Sequence, residues 1–187
     1  MPEAIQNIDF QILDWIRLHC QTAVGDHVMV LISFLCDPLM WVLYLAVLLL
    51  IKKTRKDGIV ATCGVLTGAL FANVILKNLV GRSRPCWIRP EIPLLVSVPK
   101  DYSFPSGHTM ATTIFTVIMV KRHPKLGFVL IPLLLLLMFS RLYLYVHFPS
   151  DVLFSLVTGT LIGIAVCLLE PRVTKKIQSL RESKAEN

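Results

Sequence analysis

The chain has 187 residues, 55% of them hydrophobic, and its 19 Lys and Arg against 12 Asp and Glu give a formal charge of +7. A mean hydropathy of +0.67 excludes an ordinary soluble domain and makes lipid the solvent for much of the surface. The basic residues cluster beside apolar stretches rather than interleaving with aromatics along a groove, which argues for a positive-inside membrane topology and against nucleic acid.

Residues 1–25 come first. The segment Met1 to Phe10 is acidic and lacks the basic start and short apolar run of a cleavable signal, so the first span is expected to act as an uncleaved anchor. Ile5, Ile8, Ile12, Leu13 and Ile16 recur at helical spacing among Gln6, Asn7, Asp9, Gln11, Asp14 and Arg17. That pattern predicts an amphipathic helix, either lying in the membrane interface with Trp15 at headgroup level or packed on the end of a bundle.

Five stretches are apolar enough to cross a bilayer: 28–51, 58–80, 105–120, 126–146 and 149–169. Asp37-Pro38 is a break within the first, so the count reads as five or six. The third is short and polar at its start, acceptable only if Ser106 to Thr109 faces a protein-lined cavity. The expected fold is an all-α polytopic bundle in a single domain, 1–187, with the bundle over 28–169 and a basic cytoplasmic tail over 170–187. Cys20, Cys36, Cys63, Cys86 and Cys167 form neither zinc spacing nor a disulfide framework and read as small core hydrophobes. Asn73 and Asn78 read as helix–helix polar contacts, and Tyr143 and Tyr145 as an interfacial aromatic belt. Trp87, Ile88 and Leu94 to Val96 form either a membrane-dipping lid or ordinary loop packing.

Lys52, Lys53, Arg55 and Lys56, then Lys121, Arg122 and Lys125, then the tail from Arg172 to Lys184 share one side of the predicted topology. By the positive-inside rule that side is cytoplasmic. Lys77, Arg84, His108, Arg141, His147 and Asp151 then fall together at the opposite, extracytoplasmic ends of the spans.

That gathering has a chemical meaning. Lys77, Arg84 and Arg141 are three cations for the charge that develops on phosphoryl oxygens. Pro105-Ser106-Gly107-His108 reads as a helix start, and Ser106 and Gly107 are expected to present backbone N–H groups to an anion. His147 has Asp151 four residues on, a pairing that orients an imidazole as nucleophile, while His108 serves as general acid and then base. No nearby Glu or Cys completes a metal set, so neither a metal nor a cofactor is expected.

The three patches, Lys77-x6-Arg84-Pro85, Pro105-Ser106-Gly107-His108 and Ser140-Arg141-x5-His147-x3-Asp151, resemble the tripartite signature of the type-2 phosphatidic acid phosphatase superfamily. The resemblance implies a metal-independent membrane lipid phosphatase working through phosphohistidine, with His147, His108 and Asp151 catalytic and Lys77, Arg84, Ser106, Gly107 and Arg141 on the phosphate. It ranks undecaprenyl diphosphate first as substrate, with phosphatidylglycerophosphate or phosphatidate next. A lipid phosphotransferase and a non-enzymatic transporter or scaffold stay open on the residues alone.

Overall fold

A computed structural model describes residues 2–185, with side chains through Lys175, so the expected basic tail beyond that point lies outside the described side chains. Among the described residues there is no strand. Nine α-helices follow one another: α1 Glu3–Cys20, α2 Ala23–Leu35, α3 Pro38–Leu50, α4 Arg55–Ala69, α5 Lys77–Val80, α6 Pro85–Ile88, α7 Gly107–Arg122, α8 Gly127–Tyr143 and α9 Pro149–Ala185.

Local chemistry sets the boundaries. Thr22 caps α2 by accepting from Gly25 N–H at 3.0 Å, and Pro38 and Pro149 open α3 and α9 where a proline N–H is not missed. Gly81, at φ +57°, ends α5 in the left-handed conformation that glycine adopts without penalty. Between α4 and α5 the segment Leu70–Leu76 is wound more widely, and Lys77 N–H donates to Ala72 O, five residues back.

Three stretches, Arg55–Ile88, Pro124–Tyr143 and Pro149–Lys175, hold helices long and apolar enough to cross a membrane. A fourth forms if α2 and α3 are taken as one span bent by 53° at Asp37-Pro38, the break expected from the sequence. With 16 residues, α7 is shorter than these, yet it is the central helix, packed on α4, α8 and α9 around Met110, Ile114 and Ile118.

Helix α9 closes on α7 through Gly159 and Gly163, one turn apart. A Cβ at Gly159 would lie 2.9 Å from Thr113 Cβ and 3.1 Å from Met110 O, and one at Gly163 2.9 Å from Val117 Cβ. Because Cβ atoms and backbone cannot swing away, Gly159→Ala with Gly163→Ala should force the helices apart at a cost of about 1–3 kcal/mol. A lowered midpoint in a thermal melt in detergent checks it; an unchanged midpoint would show that the contact is slack.

The two ends of the bundle are held differently. At one end Asp57 of α4 accepts from Arg122 Nε at 2.5 Å and pairs with His123 at 2.7 Å, while Arg122 also donates to Glu170 of α9 at 2.7 Å. At the other, α1 turns Asp9, Leu13 and Ile16 inward and leaves Ile8, Trp15 and Leu18 exposed, so it packs on the bundle while keeping an apolar outer face. Tyr143 and Tyr145 depart from the expected aromatic belt. Both are buried: Tyr143 accepts from Thr22 N–H at 3.0 Å and donates to Asp26 at 2.7 Å, and Tyr145 sits 3.2 Å from Asp14. Asp14 within α1 and Asp26 in the first turn of α2 give these hydroxyls internal partners, so they tie the N-terminal helices down.

Candidate active site

A cavity of about 790 Å³ opens at the α1 end of the bundle. Lys77, Arg84, Gly107, His108, Arg141 and His147 all line it, so six of the eight residues expected from the sequence converge on one space. The other two stand behind that wall. Ser106 is buried and spends its hydroxyl as the N-cap of α7, accepting from Thr109 N–H and Thr109 Oγ1 at 3.5 and 3.0 Å. Asp151 is wholly buried in the first turn of α9.

Each cation is delivered by a helix end. Lys77 follows the wide turn, which also brings Asn73 to the cavity wall beside Gly107 of α7, a contact between helices; Asn78 instead donates to Val74 O of its own helix at 2.8 Å. The Gly107 backbone lies so near Asn73 that an added Cβ would stand 3.1 Å from Asn73 Oδ1. Arg84, just before α6, donates through Nη1 to Val146 O at 2.6 Å and to His147 Nε2 at 3.1 Å. Arg141, in the last turn of α8, donates to Ser33 Oγ and keeps Nε buried without a partner. An unmet buried donor costs roughly 1–3 kcal/mol, which an anionic ligand would remove.

The His147 ring has a defined hydrogen. A guanidinium can only donate, so Nε2 accepts from Arg84 and the neutral ring carries its hydrogen on Nδ1. That nitrogen lies 3.7 Å from Asp151 Oδ2, within ion-pair range but beyond a hydrogen bond. The carboxylate is already engaged: Arg82 donates to Oδ1 at 2.5 Å, and Ser103 Oγ and Phe148 N–H donate to Oδ2 at 2.5 and 3.0 Å. Burial above all, then the Arg84 and Arg141 charges, hold the His147 imidazole well below its ordinary range, which favours the neutral ring.

Sequence reading overlooked four charged residues. Arg82 is buried between two carboxylates, Asp151 and Asp9 of α1, the latter at 2.7 Å, and lies over the Phe148 ring at 3.9 Å. Asp101, in the outer loop, pairs with Lys77 and accepts from Arg84 Nη2 at 2.8 Å. Partial burial pushes the Asp101 carboxyl up, but its hydrogen bond from Lys77 and the Arg84 charge prevail and hold it well below the usual carboxylate range. Asp37 accepts from His108 Nε2 at 2.9 Å. The arginine doublet around Ser83 was the one sequence signal that pointed to Arg82; the three aspartates carried none.

Away from the cations the same cavity is apolar, walled by Phe34, Trp41, Val42, Leu45, Val65 and Leu66 of α2, α3 and α4. Leu95 and Val96 of the outer loop complete the wall, which gives that loop a lining role. A cation-rich head joined to an apolar trough suits an amphiphile with an anionic group at one end.

Comparison with known proteins fits this geometry. The PAP2 superfamily profile matches residues 58–175. The chain therefore belongs to the PAP2 superfamily, and it is a phosphoric-ester hydrolase of that family. An undecaprenyl-diphosphatase of Sulfolobus acidocaldarius is 30% identical over 182 residues, spanning 94% of this chain and 86% of its own. A decaprenylphosphoryl-5-phosphoribose phosphatase of Mycobacterium tuberculosis is 35% identical over 117 residues, 62% of this chain and 63% of its own. The crystal structure of a transmembrane PAP2-type phosphatidylglycerolphosphate phosphatase from Bacillus subtilis superposes with a TM-score of 0.74 at 26% identity, covering 91% of this chain and 88% of that one.

Proposed function

We propose that this multi-pass membrane protein hydrolyses a lipid phosphate or diphosphate, undecaprenyl diphosphate ranked first, through a phosphohistidine on His147 at the extracytoplasmic face of the cell membrane. The observation that carries the reading is the single cavity in which Lys77, Arg84 and Arg141 surround two histidines beside an apolar trough. In this reading the phosphate takes the place of the Asp101 carboxylate against Lys77 and Arg84, and supplies the acceptor that Arg141 Nε lacks. His147 Nε2 attacks phosphorus as the P–O bond to the leaving group breaks, and His108 gives that oxygen a proton. Water then cleaves the N–P bond, with His108 taking its proton and inorganic phosphate leaving. Asp151, 3.7 Å from Nδ1, offsets the positive charge that the ring acquires.

The substrate ranking rests on the undecaprenyl-diphosphatase relative, which matches most of both chains. A second reading, phosphatidylglycerophosphate as substrate, is favoured by the Bacillus subtilis structure. The placement of the site outside the cytoplasm rests on Lys52, Lys53, Lys121 and Lys125 gathering at the opposite end of the bundle. The five-span count takes the bent α2–α3 pair as one span and α7 as a short one, with α1 in the interface. A phosphate-release screen of the purified protein against prenyl diphosphates, phosphatidylglycerophosphate and phosphatidate tests the reading. Release from a prenyl diphosphate at the highest kcat/KM is expected, and no release from any of the three would overturn it.

The pH profile follows from the His147 environment. Because burial and two arginines disfavour the imidazolium, acid must overcome both before the nucleophile is lost. The acid limb of kcat/KM should therefore fall well below the ordinary histidine range of about 6.5. An acid limb at or above that range would show that His147 is not the group titrating.

A further inference from the structure

We infer that Asp37 is the positioning residue of the general acid, binding His108 so that one ring nitrogen is fixed and the other is left to exchange its proton with the substrate. The inference rests on the phosphatase reading above. Asp37 stands at the break between α2 and α3, with φ −65° and ψ 154°, in the N-cap position of α3. An aspartate there ordinarily accepts from the N–H groups of the first turn. This one makes no cap hydrogen bond and instead accepts from His108 Nε2 at 2.9 Å, across 71 residues of chain.

The partner types settle the hydrogen. A carboxylate can only accept, so His108 Nε2 carries a hydrogen, and Nδ1 is the one nitrogen left to lose and regain a proton. The remaining groups around this end of the cavity are Lys77 of α5, Arg84, Arg141 of α8, His147, and Asn73 of the wide turn. The three charged ones among them are cations, which oppose a protonated His108; Asp101 is occupied by Lys77 and Arg84. Asp37 is thus the one carboxylate in contact with His108 among the described residues. It stays ionised through both steps. In the first, the imidazolium passes its Nδ1 proton to the leaving oxygen as the P–O bond breaks and the N–P bond to His147 forms. In the second, neutral Nδ1 takes a proton from water as water oxygen bonds to phosphorus and the N–P bond breaks. The site therefore holds two histidine–carboxylate pairs, His147 with Asp151 and His108 with Asp37.

The test uses Asp37→Asn and Asp37→Ser in the full chain, both able to cap α3 so that the helix start survives. The kcat/KM values are measured on phosphatidate, whose alkoxide needs a proton, and on p-nitrophenyl phosphate, whose phenolate leaves unaided. A loss of roughly 10²-fold on phosphatidate and only a few-fold on the aryl ester is expected, as for removal of general-acid help. Added to His108→Ala, either substitution should cost nothing further. Equal losses on both substrates, an additive loss in the double variant, wild-type behaviour, or loss of folded protein in both variants would each overturn the assignment. Wild-type protein on the same substrates, with a prenyl diphosphate and phosphatidylglycerophosphate beside them, keeps the two readings apart: if it releases phosphate from none of them the phosphatase reading fails and this inference with it, whereas an active wild type with indifferent Asp37 variants ends only this inference.

Discussion

His147→Ala should abolish turnover, by roughly 10⁴-fold or more, while leaving the thermal melt in detergent close to that of the wild type. The size follows from removing the group that bonds to phosphorus, and losses of that order attend deletion of a nucleophile in other covalent enzymes. The melt should hold because the neighbours of the ring keep their own partners. Arg84 retains Val146 O at 2.6 Å and Asp101 at 2.8 Å, and Asp151 retains Arg82, Ser103 and the Phe148 N–H. A variant that keeps a tenth of the activity would exclude a phosphohistidine on this residue; one that fails to accumulate as folded protein would give the ring a structural role instead.

Arg82→Ala should do the opposite and bring down the fold with the activity. The guanidinium is the shared counter-ion of Asp9 and Asp151, whose side chains are 4% and 0% exposed, and it also donates to Ser150 Oγ at 2.7 Å. Removing it strands two buried carboxylates, and breaking a buried pair from one side costs about 3–5 kcal/mol. The same guanidinium fastens α1 to the start of α9, since Asp9 also accepts from Ser150 N–H at 3.0 Å. A marked drop in melting temperature, eased in part when Asp9→Asn removes one stranded charge, is the expected result. An Arg82→Ala protein as stable as the wild type would show that water reaches both carboxylates.

Much of this site was legible because its chemistry is written in short patches. Lys77, Arg84, Gly107, His108, Arg141 and His147 are each tied to a helix end, and the alternation of apolar spans places those ends together. What escaped was pairing between side chains far apart in sequence. Asp9 and Arg82 are 73 residues apart, and Asp37 and His108 are 71 apart; neither pair has a local pattern. Asp37-Pro38 looked like a helix break, which it is, and nothing nearby says that the carboxylate abandons its cap. The wide turn over Leu70–Leu76 has no proline or glycine to announce it, so nothing in the sequence placed Asn73 on the cavity wall as well as beside Gly107. Tyr143 and Tyr145 read as belt residues because a tyrosine at a span end has the same sequence signature whether its hydroxyl meets a headgroup or an aspartate.

The shortness of α7 bears on how a bilayer fits around the protein. Sixteen residues rise about 24 Å, less than the roughly 30 Å of a hydrocarbon core. Gly107 and His108 occupy its first turn, so in the five-span reading proposed above, with the far tip of the helix at one water boundary, the reactive centre sits several ångströms beneath the other. A substrate can dock by sinking its headgroup into a local dimple instead of being hoisted from its leaflet. Thin membranes make that descent shallow, and thick ones exact a deformation cost at every encounter.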